Sequence, residues 1–226
     1  MTSTKTSGRL IAALEGCYEA DRAAALSGVP VSTVYHWARR GIVVPTISPE
    51  KPKRWSYADL MALRLVYWLR HPKSQHPRPI PASPMNEVRR ALAELDDRDL
   101  DIWTQDARWR APPLRVDPTG RIYIETDRRV ETTYREGVFD EVLDLLGPFH
   151  VGNERGPDLI NPKPHLRIIP GKVSGELHFV DSRITTQAIA ALHKRFRDVA
   201  RVVALYPELD TVAVEEAIEL EAELAA

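Results

Sequence analysis

The sequence has 226 residues and a single cysteine, Cys17. One thiol cannot form a disulfide within the chain, which favours a reducing compartment and predicts a cytoplasmic protein. A long apolar run is also missing, because the apolar residues that follow Lys5 and Arg9 stop at Leu14, before Glu15. That stretch is too short for a signal peptide or a membrane span, so we expect no membrane partner.

The motifs of most enzymes are missing as well. The carboxylates are dispersed, no nucleophile lies in a known motif, and no glycine-rich loop could hold a phosphate. His71 and His76 lie close in sequence, but without a cysteine or a second cluster nearby they predict no metal site. We therefore expect a protein that is not an enzyme and that uses no cofactor.

Basic residues are absent from one end of the chain. The net charge is −1, yet residues 31–73 carry eight Lys or Arg against two acidic residues, and seven acidic residues but no Lys or Arg follow Tyr206. The basic segment suits a polyanion, whereas the acidic end does not. The alternative is that both segments are ordinary solvated helix faces.

Residues 18–57 have the pattern of a helix-turn-helix. An alanine-rich helix is followed by a turn at Gly28 and by a second helix that Gly41 ends. Gly28 permits a tight turn, and Ala24 and Ala25 are small enough for the two helices to cross closely. The residues before this segment are predicted as a loose arm with one turn of helix.

The second helix, residues 31–40, is the predicted recognition helix. Val34 and Trp37 are three positions apart and should face inward. The outward side chains that could reach DNA are Ser32, Tyr35, His36, Arg39 and Arg40. Arg39 could bind guanine through two hydrogen bonds. Alternatively, the arginines position phosphates without reading bases, and the other side chains are plain exposed surface.

A wing is predicted after this helix. Residues 42–45 and 54–57 have the composition of two short strands, and prolines stiffen the tip between them. The tip carries Lys51, Lys53 and Arg54, three cations that suit the phosphate backbone or a minor groove.

These elements occur in the order of a known family. The segments that carry the likeness are Gly28-Val29, Gly41-Ile42, Pro45 and Arg54-Trp55-Ser56-Tyr57-Ala58-Asp59-Leu60. Over residues 18–69 they resemble the winged helix-turn-helix of MerR-type regulators, which implies DNA binding. Pro30 replaces the usual Ser or Thr cap and Tyr35 the usual Arg, so no sequence preference is carried over. The long helix through which many MerR proteins dimerise does not follow.

Two further helices complete the predicted DNA-binding domain, residues 1–96. Ser56 caps a helix over residues 57–70. A proline-rich loop over 71–84 leads to a helix over 85–95. Pro84 suits the first position of this helix, which should pack on the helix over 57–70.

Residues 97–150 are predicted as a small β-containing region. Two strands are expected over residues 114–116 and 122–124, joined by a type I turn over 117–120. A third strand over 130–134 and a short helix over 139–146 should follow. Trp103 and Trp109 should cover the sheet, or alternatively line a ligand pocket.

The last region, residues 151–226, is predicted as a β-hairpin followed by three helices. The hairpin should turn at Pro170-Gly171, and apolar spacing predicts helices over residues 186–196, 199–206 and 212–224. The apolar stripe of the last helix is wide, which predicts that one face meets a partner chain in a homodimer. The predicted fold class is α+β, mainly α.

This region also carries a family pattern. Its segments are Arg167-Ile168-Ile169-Pro170-Gly171, Ser174-Gly175, Asp181-Ser182-Arg183-Ile184-Thr185, Tyr206-Pro207 and Ala217-Ile218-Glu219-Leu220-Glu221. Over residues 158–224 they resemble a small domain known as VapB-like antitoxin, with Asp181-Ser182 in place of the usual Gly-Thr. The resemblance implies a type II toxin–antitoxin system. Its partner would be VapC, a PIN-domain ribonuclease with an acidic, magnesium-binding site.

A cation of the antitoxin could block such a site by charge pairing. The candidate toxin-binding residues are Arg167, Lys172, Arg183 and Arg195. Each could instead have a local structural role, Arg183 in its own turn. Three hypotheses follow: an antitoxin that binds operator DNA to repress its own operon, a MerR-like regulator whose middle region binds a small effector, and an adaptor that has lost DNA binding.

Overall fold

The computed structural model describes residues 2–73, 79–98, 100–103, 114–124 and 143–225, with the backbone alone at 2–7 and 9. In these ranges the helices are α1 (Thr2–Glu15), α2 (Ala20–Ser27), α3 (Val31–Arg39), α4 (Tyr57–Leu69), α5 (Met85–Asp97), α6 (Thr186–Phe196), α7 (Val199–Leu205) and α8 (Thr211–Leu224). The strands pair into three antiparallel two-stranded sheets: β1 (Leu114–Val116) with β2 (Ile122–Ile124), β3 (Phe149–Val151) with β4 (Glu154–Gly156), and β5 (Leu166–Arg167) with β6 (His178–Phe179). The fold is mixed and dominated by helices, as predicted. No helix in these ranges combines the length and the apolar character that crossing a bilayer requires.

The first helix is longer than the sequence predicts. In place of a loose arm with one helical turn, α1 is a full helix of 14 residues. It contains no proline and a single glycine, so little interrupts its backbone hydrogen bonds. The Gly171 amide donates to the Glu15 carbonyl at 3.2 Å and ties its end to a later loop. Leu10, Ile11 and Leu14 are exposed.

α2 and α3 form a tight helix pair. Gly28 ends α2 in the left-handed region, at φ 68°. A Cβ there would lie 2.8 Å from backbone atoms of Arg155 and Gly156, so both the turn and the packing require glycine. Val34 and Trp37 of α3 are buried, which confirms the predicted inward positions.

The loop after α3 is built differently from the predicted wing. Residues 42–45 form no strand, and the loop closes through two backbone hydrogen bonds between Ser48 and Arg54, at 3.0 and 3.2 Å. Trp55 instead exchanges backbone hydrogen bonds with Tyr18, at 2.9 and 3.0 Å. The predicted strand pair is wrong because Tyr18 takes both backbone groups of Trp55 and leaves none for residues 42–45.

α4 begins with a capping box and lies in the core. The Ser56 hydroxyl accepts from the Asp59 amide at 3.1 Å, and the Asp59 carboxylate accepts from the Ser56 amide at 2.8 Å. Eleven of the thirteen residues of α4 are buried. A helix that is covered on every side is central to a fold, so α4 supports both the α2–α3 pair and the later segments.

α5 and the β1–β2 hairpin follow the sequence closely. Pro84 lies at the N-cap of α5 and not at the predicted first helical position, so the helix begins one residue later. The helix packs on β2, and its Leu92 and Leu95 line a shallow cleft together with Ala58 of α4. Gly120 is in the left-handed region at φ 82°, which is the conformation that the predicted turn requires.

Part of the predicted middle region lies outside the described residues, namely the strand at 130–134, Trp109, His76 and residues 139–142. The described end of the helix predicted at 139–146 is not helical, so that prediction is wrong there. The Asp144 carboxylate accepts from the amides of Leu146 and Gly147 at 3.0 and 3.1 Å, and this local turn competes with a helix.

The strands of the C-terminal region differ from the prediction. β3 and β4 form an unpredicted hairpin whose turn contains Gly152 at φ 60° followed by Asn153, a recognised hairpin signal. β5 and β6 pair, but the long loop over 168–177 separates them. The predicted hairpin turn at Pro170-Gly171 is wrong because the backbone hydrogen bond to Glu15 draws this loop towards α1.

The three predicted C-terminal helices are present and pack on one another. Side chains of Thr185, Asp198 and Asp210 cap α6, α7 and α8 respectively. α8 buries four residues within the chain: Ala213, Val214, Ala217 and Leu220. The predicted dimer contact of this helix stays a prediction.

Buried contacts cross the predicted domain boundaries at 96/97 and 150/151. The Tyr18 hydroxyl donates to the Gly175 carbonyl at 2.7 Å. Arg22 of α2 donates to Glu221 of α8 at 2.9 Å and to Glu176 at 3.1 Å. The N-terminal helices and the C-terminal region therefore share a core, and the three-domain division stays a prediction.

Candidate nucleic-acid interface

The predicted recognition helix presents its polar face to solvent. The five predicted DNA-binding residues on and just after α3 are all exposed: Ser32, Tyr35, His36, Arg39 and Arg40. The opposite face is anchored by the buried Val34 and Trp37. The Arg39 guanidinium has no ion-pair partner in the described part of the chain, so it can bind an external acceptor.

Tyr35 joins α3 to the base of the loop. Its ring lies edge-on to Trp55, with ring centroids 6.1 Å apart and planes at 85°. Trp55 is fully buried, whereas Tyr35 is 39% exposed. Edge-to-face aromatic pairs stabilise packing, so Tyr35 positions α3 against the loop in addition to its predicted contact with DNA.

A cleft of about 670 Å³ lies between the first turn of α2, α3 and the loop. Five of the eight predicted DNA-binding residues line it: Tyr35, Arg39, Lys51, Lys53 and Arg54. Four of these are cations, so the cleft favours an anion. Glu19 and Asp21 lie on its α2 side. Neither carboxylate was among the residues predicted from the sequence. The signal for both was their position at the start of α2, because acidic residues are common at a helix N-terminus.

The three cations of the loop are held in different ways. Lys51 is exposed. The Lys53 ammonium donates to the Pro49 carbonyl. Arg54 pairs with Glu19 at 2.7 Å, with 29% and 72% of the two side chains exposed. A pair this exposed contributes less than about 1 kcal/mol, so a phosphate can replace Glu19 at low cost.

Asp59 ties the loop to α4. Its carboxylate accepts from the amide and the hydroxyl of Thr46, at 2.9 and 2.7 Å, as well as from the Ser56 amide. Burial raises the pKa of Asp59, against the opposing effect of these hydrogen bonds. A single buried acceptor therefore holds both the base of the loop and the first turn of α4.

Two cations of the basic segment are not available to a nucleic acid. Arg64 is fully buried, and burial lowers its pKa to about 10. Its guanidinium donates, over distances between 2.5 and 2.9 Å, to the carbonyls of Leu26, Leu145, Gly147 and Pro157. Lys73 is 5% exposed and lies over the Trp68 ring. The charge of residues 31–73 therefore overstates their basic surface, because these two cations serve the core.

The four candidate toxin-binding cations have different environments. Arg167 donates to backbone carbonyls at 2.6–3.1 Å and so holds its own turn. Lys172 and Arg183 lie near the buried His178: burial lowers the pKa of His178, and these two charges lower it further. Arg195 is exposed and lies in the last turn of α6.

Comparison with models of protein families finds no match for this chain. No curated protein sequence and no solved structure matches it either.

Proposed function

We propose that this chain is a cytoplasmic antitoxin that binds operator DNA and also binds and silences a PIN-domain ribonuclease of the VapC type. The observation that best supports DNA binding is the cleft lined by Arg39, Lys51, Lys53 and Arg54 beside the exposed face of α3. In this proposal α2 to α4 form a winged helix-turn-helix, and the loop over residues 48–54 is its wing.

α3 enters the major groove, which is about 12 Å wide and admits an α-helix. Arg39 binds the O6 and N7 atoms of a guanine, and Ser32 and His36 contact neighbouring bases or phosphates. Lys51 neutralises backbone phosphates and releases their counterions. Arg54 exchanges the Glu19 carboxylate for a phosphate as the DNA approaches, because their ion pair is solvent-exposed.

The antitoxin part rests on the resemblance over residues 158–224 and on exposed cations in that region. Arg183 and Arg195 are exposed, whereas Arg167 is engaged by backbone carbonyls and is the weakest of the four candidates. Two copies acting as a homodimer on a palindromic operator increase affinity through effective concentration.

Two variants separate base reading from phosphate binding. Arg39→Ala removes a bidentate base contact, and we expect binding to the upstream operator to weaken by about 1–3 kcal/mol with relaxed sequence preference. Lys51→Ala removes a phosphate contact, so we expect binding to all DNA sequences to weaken equally. The slope of log affinity against log salt concentration should become smaller by about 1. Mobility-shift titrations on operator and scrambled duplexes at several salt concentrations measure both.

The control is Arg121→Ala, which removes an exposed cation on the β1–β2 turn, outside the cleft. It should leave both affinities unchanged. Unchanged operator binding by Arg39→Ala would show that α3 is not the recognition helix. The antitoxin part predicts that a PIN-domain ribonuclease is encoded beside this chain. Co-purification of the two proteins tests this part, and the lack of such a neighbour or a failure to form a stable complex would remove that role.

The effector-binding alternative gains no support from the cleft next to Trp103. That cleft, between α4 and α5, measures 230 Å³ in the described residues, below the range of about 300–1,000 Å³ for small-molecule pockets. The Trp103 ring packs against Tyr57, with centroids 4.8 Å apart.

A further inference from the structure

Exposed cations surround the corner where α6 ends and α7 begins. We call them the α6–α7 basic patch: Lys194, Arg195, Arg197 and Arg201. None of the four forms an ion pair with a described residue. The one acidic residue among them, Asp198, uses its carboxylate to cap α7 by accepting from the Arg201 amide at 3.1 Å.

Four of the five carboxylates of the acidic helix α8 have partners elsewhere in the chain, and the fifth, Glu215, is exposed and pairs with no cation in the described ranges. Lys163 pairs with Glu219 and Glu223, at 2.9 and 3.1 Å. His165 bonds to Glu216 at 3.1 Å, and Glu221 is paired with Arg22. The positive charge of the patch is therefore left for another molecule.

One aromatic ring fixes two of the cations. The guanidinium carbon of Arg201 lies 4.3 Å from the centroid of the Phe196 ring, and that of Arg195 lies 5.6 Å from the same centroid. Each contact is favourable, but the two like charges repel one another, and neither guanidinium forms an ion pair with a described carboxylate. The ring also restricts both side chains before any partner binds, which lowers the entropic cost of binding.

Arg197 adds a cation where the backbone favours glycine. It ends α6 in the left-handed region, at φ 57°, and its amide donates to the His193 carbonyl at 2.8 Å. Glycine is the usual residue at this position because a side chain is strained there. A long cation at this place reduces stability and enlarges the patch.

The surroundings of the patch favour a protein over a nucleic acid. Arg201, Ala204 and Leu205 share one face of α7, and Leu205 is 54% exposed. Arginine beside exposed apolar surface is typical of protein–protein contacts, whereas nucleic-acid interfaces are more polar.

The patch also lies away from the DNA-binding cleft. α6 begins at Thr186, whose hydroxyl donates to Glu221, the partner of Arg22 in α2. The patch is at the opposite end of α6, a helix of 11 residues, which places it about 16 Å further along the helix axis.

We propose that the α6–α7 basic patch docks an acidic face of a partner protein, with Arg195 and Arg201 pairing with carboxylates and Leu205 packing at the edge. This rests on the proposed function, in which the partner is the PIN-domain ribonuclease. It places the contact on α6 and α7 and not around Lys172 and Arg183.

The test titrates the 226-residue chain with the PIN-domain ribonuclease that the proposed function expects beside it in the genome, and separately with operator DNA. Arg201→Glu should raise the dissociation constant for the ribonuclease at least about 30-fold, because a paired cation becomes a repelled anion. Operator affinity should stay unchanged. Arg121→Glu makes the same charge change on the β1–β2 turn and should alter neither affinity.

Arg197→Gly distinguishes docking from a structural role. It relieves the left-handed strain, so the melting temperature should rise while ribonuclease binding weakens about threefold or more. Ribonuclease binding as tight as wild type in both patch variants would overturn the docking surface. Loss of operator affinity with intact ribonuclease binding would assign the patch to DNA and overturn it too. A wild-type chain that binds no ribonuclease would instead overturn the proposed function.

Discussion

His178 is a buried histidine beside two cations. It is fully buried, its Nδ1 lies 2.8 Å from the Glu176 carbonyl oxygen, and its Nε2 has no hydrogen-bond partner in the ranges described. Burial lowers the pKa of the imidazole from its ordinary value, and Lys172 and Arg183 lower it further. The folded chain therefore holds the neutral form, and the unfolded chain takes up the proton first as the pH falls.

Stability should consequently fall on mild acidification. His178 does not affect the free energy of unfolding above a pH of about 6.5. Below that pH the free energy of unfolding declines by up to about 1.4 kcal/mol per pH unit, until the pH reaches the pKa of His178 in the folded chain, and it then levels off. His178→Gln cannot titrate and should lose this part of the decline, whereas His150→Gln, an exposed control, should keep it. Urea denaturation between about pH 7.5 and 5 measures the difference. Parallel profiles for wild type and His178→Gln would contradict the assignment.

Single residues show which part of the interface the sequence can predict. The exposed side chains of α3 follow from its period, because Val34 and Trp37 fix which face is buried. The burial of Arg64 had a signal as well, since α4 is apolar around its whole circumference and offers a cation no solvent face. No sequence signal identifies the hydrogen-bond acceptors of Arg64, because they are backbone carbonyls of segments as far as 93 positions away.

At the scale of elements, Asp59 holds the loop between α3 and α4 to the first turn of α4. Thr46→Val removes one hydroxyl hydrogen bond and should cost about 1 kcal/mol of unfolding free energy. Asp59→Ala leaves the donors of Thr46 and Ser56 unpaired and should cost about 2–4 kcal/mol. Denaturant unfolding measures both.

The same variants test whether the loop acts in DNA binding. Amide hydrogen exchange at Thr46 and Ser56 should accelerate in Asp59→Ala more than in Thr46→Val, and operator affinity should decrease in the same order. If Asp59→Ala and Thr46→Val bind operator DNA with equal affinity, the loop does not contact DNA.

Elements were predictable where their signals are local. α6 and α8 were predicted from the apolar spacing within each helix, and for α8 also from a capping residue at its start, Asp210 or Thr211. The strand at 42–45 and the turn at Pro170-Gly171 failed because each depends on a distant backbone partner, at Tyr18 and Glu15 respectively. Spacing within a segment carries no information about such partners.

At the scale of the whole molecule, Arg22 connects α2 to the C-terminal region. Its guanidinium makes two hydrogen bonds of 2.9 Å to Glu221 and one of 3.1 Å to Glu176. The three side chains are 9%, 11% and 21% exposed respectively. The partners lie 154 and 199 positions along the chain, so no local pattern predicts this network.

Removing one side of this network should be costly, and removing both sides much less so. Arg22→Met strands two largely buried carboxylates and should destabilise the fold by about 3–5 kcal/mol. Burial already raises the pKa of Glu176, so without Arg22 this group can take up a proton and limit its own penalty. Arg22→Met/Glu221→Leu should therefore recover most of the lost stability, as measured by a double-mutant cycle in denaturant.

Operator binding should follow the same order, because α2 supports α3 and is fixed to α8 through Arg22. We expect weaker operator binding by Arg22→Met and partial recovery in the double variant, with the exposed Glu219→Leu as a control that changes neither property. A cycle with no coupling between Arg22 and Glu221 would mean that the two halves are held together by their apolar contacts and by other hydrogen bonds, such as that from Tyr18 to Gly175. With coupling, a partner that displaces α8 would alter the support of α3. If the proposed function holds, this is a physical route from partner binding to operator affinity.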